Sequence, residues 1–132
     1  MKVGLAIYEL LTNNAKLTPY LAGRIYPERA PEGATTPYVV YSVISNQPYD
    51  NKKNTPIDEA NVEIFSVANG YSTANLVADL VRNTLDRQGI SLSVSVGEVD
   101  VQSIRYTNEY SEISDDRKYY AQVQEYTIRI TR

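Results

Sequence analysis

The sequence predicts an α+β fold, in which a mostly antiparallel sheet of about five to six strands carries two helices packed on one face. The run from Tyr38 to Ile44 is β-branched and aromatic apart from one serine, which is typical of a strand. Residues 60–66 alternate between apolar and polar, which indicates a strand buried mainly on one face. Thr73 to Gln88 carries an apolar stripe at helical spacing, so strands and a helix share one short chain.

Composition sets the class of protein. The 132 residues suit one globular domain, residues 1–132, and the apolar content of 42% is ordinary for such a domain. There is no cysteine and no histidine, so disulfides, thiolate nucleophiles and the commonest acid–base group are excluded. The net charge of -3 gives no basic footprint for nucleic acid.

Two helical segments are predicted before the first strand. An amphipathic stripe with spacing i, i+3, i+4, i+7 and i+8 opens the chain: Val3, Ala6, Ile7, Leu10 and Leu11. Glu9 interrupts this apolar run, which therefore indicates a helix and not a signal peptide, and a cytoplasmic address is expected. A helical turn follows from Leu17 to Leu21, with Gly23 after it.

The stretch from Gly23 to Ile44 organises the first half of the chain. Pro27, Pro31 and Pro37 stop strands from extending into the segment between them, because proline cannot donate to a strand ladder. We therefore expect a short strand, a stiff crossing loop and a long strand. A long polar loop is predicted next, from Ser45 to Pro56.

The second half is predicted as one helix followed by strands. The helix runs from Thr73 to Gln88, with Ser72 as N-cap and Gly89 just past its end. The strands that follow are residues 90–96, 99–106 and 119–130. In the last strand the apolar phase changes at Gln124 and Glu125, which predicts a bulge or bend. A second polar loop is expected at residues 107–117.

No catalytic pattern is present. Carboxylates occur in neighbouring pairs, which could serve as acid and base or hold a hard cation, but adjacent strand residues point to opposite faces. Solvated acids are the simpler interpretation. The six glycines form no phosphate-binding loop, and no serine has a histidine to activate it. We expect no enzyme activity, no cofactor and no metal.

Twelve tyrosines against one phenylalanine and no tryptophan is the most unusual feature. Tyrosine suits half-buried sheets and protein interfaces. The simpler interpretation places the strand tyrosines under the helices: Tyr38, Tyr41, Tyr106, Tyr119 and Tyr126. Tyr26, Tyr49 and Tyr110 lie at loop edges and are better interface candidates. Arg24 and Arg29 flank Tyr26 and Pro27, and they are equally consistent with protein contacts, internal pairing or solvation.

Several phrases of this sequence, taken in order, resemble the tail completion (head–tail joining, tail terminator-like) proteins of long-tailed bacteriophages. The phrases span nearly the full length: Gly23-Arg24-Ile25-Tyr26-Pro27, Pro31-Glu32-Gly33, Pro37-Tyr38-Val39-Val40-Tyr41, Val62-Glu63-Ile64, Tyr71-Ser72-Thr73-Ala74 and the strand from Val99. The loop at residues 45–56 departs from the family in being longer and more polar.

The resemblance implies a structural virion protein, assembled in the bacterial cytoplasm, that caps the head-proximal end of the tail tube. It implies a ring of identical subunits, typically six, which ends tube growth and joins the tail to the head connector. The implied partners are other copies of the chain, the tail tube protein and the head–tail connector protein. DNA would pass through the channel without tight binding, past polar and acidic side chains, and no membrane is involved.

The candidate interface has two parts with opposite charge. One part surrounds Arg24, Tyr26 and Arg29, and the other is the acidic loop from Glu109 to Asp116. The full set of candidate residues is Arg24, Tyr26, Pro27, Arg29, Tyr49, Lys52, Lys53, Glu109, Tyr110, Glu112, Asp115 and Asp116. Two other classes stay open: another connector part, such as a head-completion adaptor or minor tail protein, and a small-molecule-binding α+β domain.

Overall fold

Three helices and six strands make up the part of the chain that the computed structural model describes, which is residues 2–49, 56–94 and 97–131. The helices are α1 (Val3–Thr12), α2 (Thr18–Leu21) and α3 (Tyr71–Leu85). The strands are β1 (Ile25–Pro27), β2 (Tyr38–Tyr49), β3 (Ile57–Ala68), β4 (Arg87–Val94), β5 (Gly97–Ile113) and β6 (Tyr120–Thr131).

All six strands form one sheet in the order β1-β2-β3-β6-β5-β4. β1 pairs in parallel with the start of β2, with Ile25 opposite Val39, and each of the other pairs is antiparallel. The α+β class, the mostly antiparallel sheet and the short first strand are therefore confirmed. The stiff loop between β1 and β2 crosses from one strand to its parallel neighbour, as the three prolines predicted.

The two faces of the sheet differ because the helices pack on one of them. On this side, which we call the helix face, β3 and β6 contribute the buried residues Val62, Ile64, Tyr126 and Ile128. They form one hydrophobic cluster with the apolar stripes of α1 and α3 and with Leu21 of α2. The alternate strand residues lie on the opposite side, which we call the open face.

Both predicted polar loops are wrong in part, because β strands continue into them, and residues 50–55 of the first loop lie outside the described residues. β2 extends through Ser45 to Tyr49, and β5 extends from Tyr106 through Glu112 to Ile113. These segments lack an apolar alternation because they lie where the sheet meets solvent. Their backbones are nevertheless paired, β2 with β3 and β5 with β6. Pairing with a neighbouring strand therefore makes these segments strands, although their side chains show no strand pattern.

The main helix is also shifted from its predicted bounds. It starts at Tyr71 after an extended Gly70, and it ends at Leu85, where Asp86 leaves the helical conformation (φ -75°, ψ 82°). Arg87 already pairs with Ile104 as the first residue of β4, so Gly89 is a strand residue and not a helix cap.

The predicted bulge in the last strand is wrong. β6 pairs with β3 in unbroken register from Tyr120 to Thr131, and the irregularities lie in β2 and β5 instead. The apparent change of phase arises because the helix face carries buried glutamines at Gln122 and Gln124. Polar residues at core positions hide the period of a strand.

Gln124 is fully buried and its side-chain amide is satisfied by three partners. Its Nε2 donates to the Ala78 carbonyl oxygen of α3 at 3.0 Å and to the Glu109 carboxylate at 2.8 Å. Its Oε1 accepts from the Tyr126 hydroxyl at 3.0 Å. Tyr106 donates to the same Glu109 carboxylate at 3.1 Å, so a polar network ties α3, β5 and β6 together under the helix.

Tyr126 makes stability dependent on pH in the alkaline range. Burial raises the pKa of its phenol above the ordinary value of 10.0, since the charged form is poorly solvated inside the protein. The folded state therefore holds this proton more tightly, and the stabilisation is complete below about pH 10 and lost as the pH rises further. We expect Tyr126→Phe to lower the free energy of unfolding by about 1 kcal/mol at neutral pH. The variant should also flatten the loss of stability above pH 10, measured by urea denaturation at several pH values, with exposed Tyr71→Phe as the control.

Candidate assembly surface

An apolar row crosses five strands of the open face. The strand register places its members side by side: Tyr26, Val40, Phe65, Val123 and Tyr110. Val123 is fully buried and Val40 nearly so, although both lie on the side of the sheet away from the helix cluster. The row therefore shields its own centre and presents aromatic rings at its two ends.

Beside the apolar row, a second group of side chains forms an aromatic end to the open face. The rings of Tyr26 and Tyr38 meet edge to face, with centroids 6.0 Å apart. Tyr38 also lines a shallow cavity of about 210 Å³ with Tyr119, Ile113, Val67 and others. Burial, and then the neighbouring tyrosines, raise the pKa of Tyr38. The aromatic end lies next to the turn that joins β5 to β6.

On the other side of the apolar row lies an acidic row, which we define as Glu28, Glu63 and Glu125. The Glu28 carboxylate accepts from the Ser42 hydroxyl at 2.8 Å, and Glu63 accepts from the Tyr110 hydroxyl at 3.3 Å. Glu125 accepts from Asn108 at 3.3 Å. These carboxylates are exposed or half-buried, so the middle of the open face is negatively charged.

The far end of the open face holds a compact ion pair. The Arg129 Nε donates to the Glu59 carboxylate at 2.9 Å, and the same guanidinium lies 3.9 Å from the centre of the Tyr49 ring. Tyr49 is thus engaged within the subunit, although it is one of the predicted interface residues. Lys52 and Lys53, also predicted, lie outside the described residues.

The predicted basic part of the interface divides into one structural and one exposed arginine. The Arg24 Nε donates to the Pro37 carbonyl oxygen at 3.0 Å, and Nη2 donates to that of Tyr20 at 2.9 Å. Arg24 therefore fastens α2 to the start of β2. Pro27 and Arg29 are exposed beside it at the β1 edge of the sheet, and Tyr26 belongs to the apolar row.

The predicted acidic part divides in the same way. Glu109 is turned towards the helix face, where Gln122, Gln124 and Tyr106 donate to it, so it belongs to the internal network. Glu112 and Asp115 are exposed.

Asp116 caps the β5–β6 turn. Its carboxylate accepts from the Ser114 hydroxyl at 2.6 Å and from the Lys118 backbone N–H at 3.1 Å, and these bonds lower its pKa. Tyr110 donates to Glu63 and joins Tyr26 in the apolar row.

Sequence reasoning missed most of the open face. Phe65, Val123, Glu63 and Glu125 occupy alternate positions of strands whose other phase is clearly core, and that alternation was the available signal. Tyr41, Tyr106 and Tyr126 do pack with the hydrophobic cluster, as the simpler interpretation predicted. Tyr38 and Tyr119 do not, because they lie at the aromatic end of the open face.

Both edges of the sheet have stretches that no described strand covers. β4 pairs with β5 as far as Ile104, so the outer side of β5 from Arg105 to Ile113 has no strand beside it among the described residues. β1 pairs with β2 as far as Tyr41, and the described chain places no strand beside the rest of β2. Asp86 accepts from the Tyr106 N–H at 3.3 Å, and Glu28 accepts from the Val43 N–H at 3.4 Å.

The cavity between the ends of α1 and α3 is a candidate small-molecule site. It has a volume of about 510 Å³ and is lined by Leu10 and Leu80 together with several polar residues. These polar groups bind each other: Asn13 donates to Glu9, and Asn14 donates to Thr84. These two hydrogen bonds engage four of the polar side chains that line the cavity.

Within residues 2–49, 56–94 and 97–131, no group of three or more acidic side chains is arranged to hold a metal ion. Across those same stretches, each helix is too short or too polar to cross a membrane.

A solved structure shows where this fold occurs. A chain from a solved structure described as the virion of a native gene transfer agent particle has the same fold, with a TM-score of 0.71. The sequences are 19% identical, and the match covers 96% of this chain and 92% of that chain. No protein of curated function matches the sequence.

The fold is thus one that occurs in an assembled virion particle. Residues 5–131 match the model of the family described as tail completion protein gp17, and the chain belongs to that family. It is a structural protein of the phage virion, located in the tail. The family resemblance inferred from the sequence is confirmed.

The two neighbouring arginines should differ in their effect on stability. We expect Arg24→Ala to lower the free energy of unfolding by about 1–3 kcal/mol, because two charge-assisted bonds to carbonyl oxygens are lost. Arg29→Ala is the matched control and should change it by less than about 0.5 kcal/mol, since the residue is exposed. Equal effects in urea denaturation would contradict the structural role of Arg24.

Proposed function

We propose that this protein caps the head-proximal end of the phage tail tube as a ring of identical subunits, with six as the expected number. The ring ends tube growth and joins the tail to the head connector, and residues 1–132 act in it as a single domain that carries out no reaction. The observation that supports this most directly is membership of the tail completion family along residues 5–131.

A closed ring needs two different complementary patches on each subunit. The chain offers such a pair at opposite sides of its sheet. Arg29 lies at the β1 edge, and Glu112 and Asp115 lie at the β5 side, four strand spacings or roughly 19 Å away. The charges are opposite, which favours contact between unlike edges of neighbouring subunits over contact between like edges.

The open face is the proposed lining of the channel. Its acidic row repels phosphate, and a channel that passes DNA must not hold it tightly. The aromatic end lies at one end of the strands, where it is placed to contact the tail tube protein or the connector. Tight, salt-sensitive DNA binding by the purified protein would contradict this arrangement.

The function is tested by deleting the gene from its phage and imaging the lysate. We expect overlong tail tubes without heads, because tube growth is no longer stopped. Tails of normal length beside unjoined heads would indicate another connector part, such as a head-completion adaptor or a minor tail protein. The mass of the purified protein, alone and with tail tubes, then gives the number of subunits at the tube end.

Charge reversal tests the contact between subunits. We expect Arg29→Glu to weaken ring assembly at least about tenfold, because it places like charges against Glu112 and Asp115 of the neighbour. Lys16→Glu is the matched control, since this exposed lysine lies on the helix side after α1. Assembly is measured by mass in solution over a concentration series, and equal assembly of both variants would remove Arg29 from the interface.

A further inference from the structure

The far end of the open face contains a cavity lined by parts of β2, β3, β5 and β6. Its volume is about 340 Å³, and sites for small ligands measure about 300–1,000 Å³. Apart from Ile57, each described residue of its lining carries a side-chain hydrogen-bond donor: Tyr49, Gln102, Ser103, Arg105, Thr127 and Arg129. We call this cavity the donor pocket.

The register of β5 and β6 brings two arginines together at the donor pocket. Arg129 lies opposite Ser103, and Arg105 lies opposite Thr127, so the two arginines are diagonal neighbours on the open face. Diagonal positions of adjacent antiparallel strands lie about 7–8 Å apart, within reach of two long side chains. An anion between the two guanidinium groups would therefore accept hydrogen bonds from both of them.

Both arginines keep donors for a ligand. The Arg129 Nε donates to Glu59 at 2.9 Å, and the Tyr49 ring lies against the same guanidinium, so this side chain is held in place. Its two Nη groups have no acceptor among the described residues. Arg105 is exposed, and none of its guanidinium N–H groups has an acceptor in the described part of the chain. The pocket thus combines one positioned arginine with one adaptable arginine.

The remaining polar groups of the donor pocket are partly engaged. The Thr127 hydroxyl donates to Asn61 at 3.2 Å, and the Gln102 Nε2 donates to the Thr131 hydroxyl at 2.7 Å. The Ser103 hydroxyl has no acceptor among the described residues. No carboxylate belongs to the described lining, so donors and positive charge outnumber acceptors there. A pocket of this composition selects an anion.

The charges around the donor pocket keep its affinity low. Glu59 is paired with one of the two arginines, and Glu125 of the acidic row lies two residues before Thr127 on the same face. These carboxylates offset much of the positive charge that an anion would meet. A single weak contact on each subunit agrees with a channel that does not hold DNA tightly, because affinity for DNA grows with the number of phosphate contacts.

We propose that the donor pocket binds one phosphate group, held between Arg105 and Arg129 with the Ser103 hydroxyl beside it. The planar guanidinium group matches the geometry of phosphate oxygens better than a lysine ammonium does. The DNA backbone and a free nucleotide both carry this group. DNA as the source rests on the proposed function, because the ring is what places the open face along the channel, whereas the pocket itself belongs to a single subunit.

Titration of the purified protein at low ionic strength tests the site, followed by NMR spectra of the backbone amides and the arginine Nε–H groups. The probes are inorganic phosphate, a deoxynucleoside monophosphate, and a short DNA duplex without terminal phosphates. Chloride at the same ionic strength is the control. We expect the largest shift changes at Ser103, Arg105, Thr127 and Arg129. Changes there with the first two probes but not with the duplex would uphold the phosphate site and exclude the DNA backbone as its source.

Substitution of Arg105 gives the quantitative test, since this residue is exposed and its removal breaks no described contact. We expect Arg105→Ala to weaken phosphate binding at least about tenfold, because charge-assisted hydrogen bonds are lost. Arg105→Lys should weaken it less, since the charge remains and only the fork of donors is lost. Arg29→Ala is the matched control, because it removes the same charge at the β1 edge. Equal weakening by both alanine variants would overturn the proposal.

The outcomes separate this proposal from the proposed function. If none of the three probes shifts the pocket residues while rings form on tail tubes, the phosphate site is wrong and the proposed function stands. If no probe binds and Arg105→Glu prevents ring assembly, the pocket receives an acidic side chain of another chain, and the phosphate site is again wrong. If no ring forms alone or on tail tubes, the proposed function fails, and the titration still decides whether a subunit binds phosphate.

Discussion

The helices of the described chain cover one face of the sheet, and this asymmetry governs the rest of the structure. On the helix face, most of the alternate residues of β3 and β6 are apolar and buried, and α1 and α3 lie on this side of the sheet. On the open face, the other set of alternate residues of the same strands faces away from the helices. A sheet of this kind has one strongly specified side and one side whose chemistry is free to serve contacts with other molecules.

The side chains of the open face change in chemical character along the strands. The aromatic end is followed by the apolar row, then by the acidic row, and last by the Arg129–Glu59 pair. Tyrosine serves this gradient because its ring fills the apolar row while its hydroxyl reaches a carboxylate, as Tyr110 does with Glu63. Burial, and then Glu63, raise the pKa of Tyr110, so this hydroxyl keeps its proton and remains a donor.

The edges of the sheet also bear on how the protein meets other chains. An exposed sheet edge can pair with strands of other molecules unless its backbone groups are blocked. On the β1 side of this chain, Pro27 and the Glu28 carboxylate block part of the edge. Further along β2, Pro48 and the bulge between Val43 and Ser45 also protect the edge, whereas the outer side of β5 from Arg105 to Ile113 has no described strand beside it. The chain belongs to a tail completion family, and a structural part of the virion associates with other virion proteins.

The sequence by itself determined the helix stripes, the short β1, the strand at Tyr38 and the family, because these depend on local periodicity, prolines and ordered phrases. It could not determine that residues 45–49 and 107–113 are strands, since their ladders are supplied by neighbours distant in the chain. It also could not separate Arg24 from Arg29, or Glu109 from Glu112. Identical side chains a few residues apart received different roles, because the tertiary structure brought carbonyl oxygens to Arg24 and buried amides to Glu109, and left Arg29 and Glu112 in water.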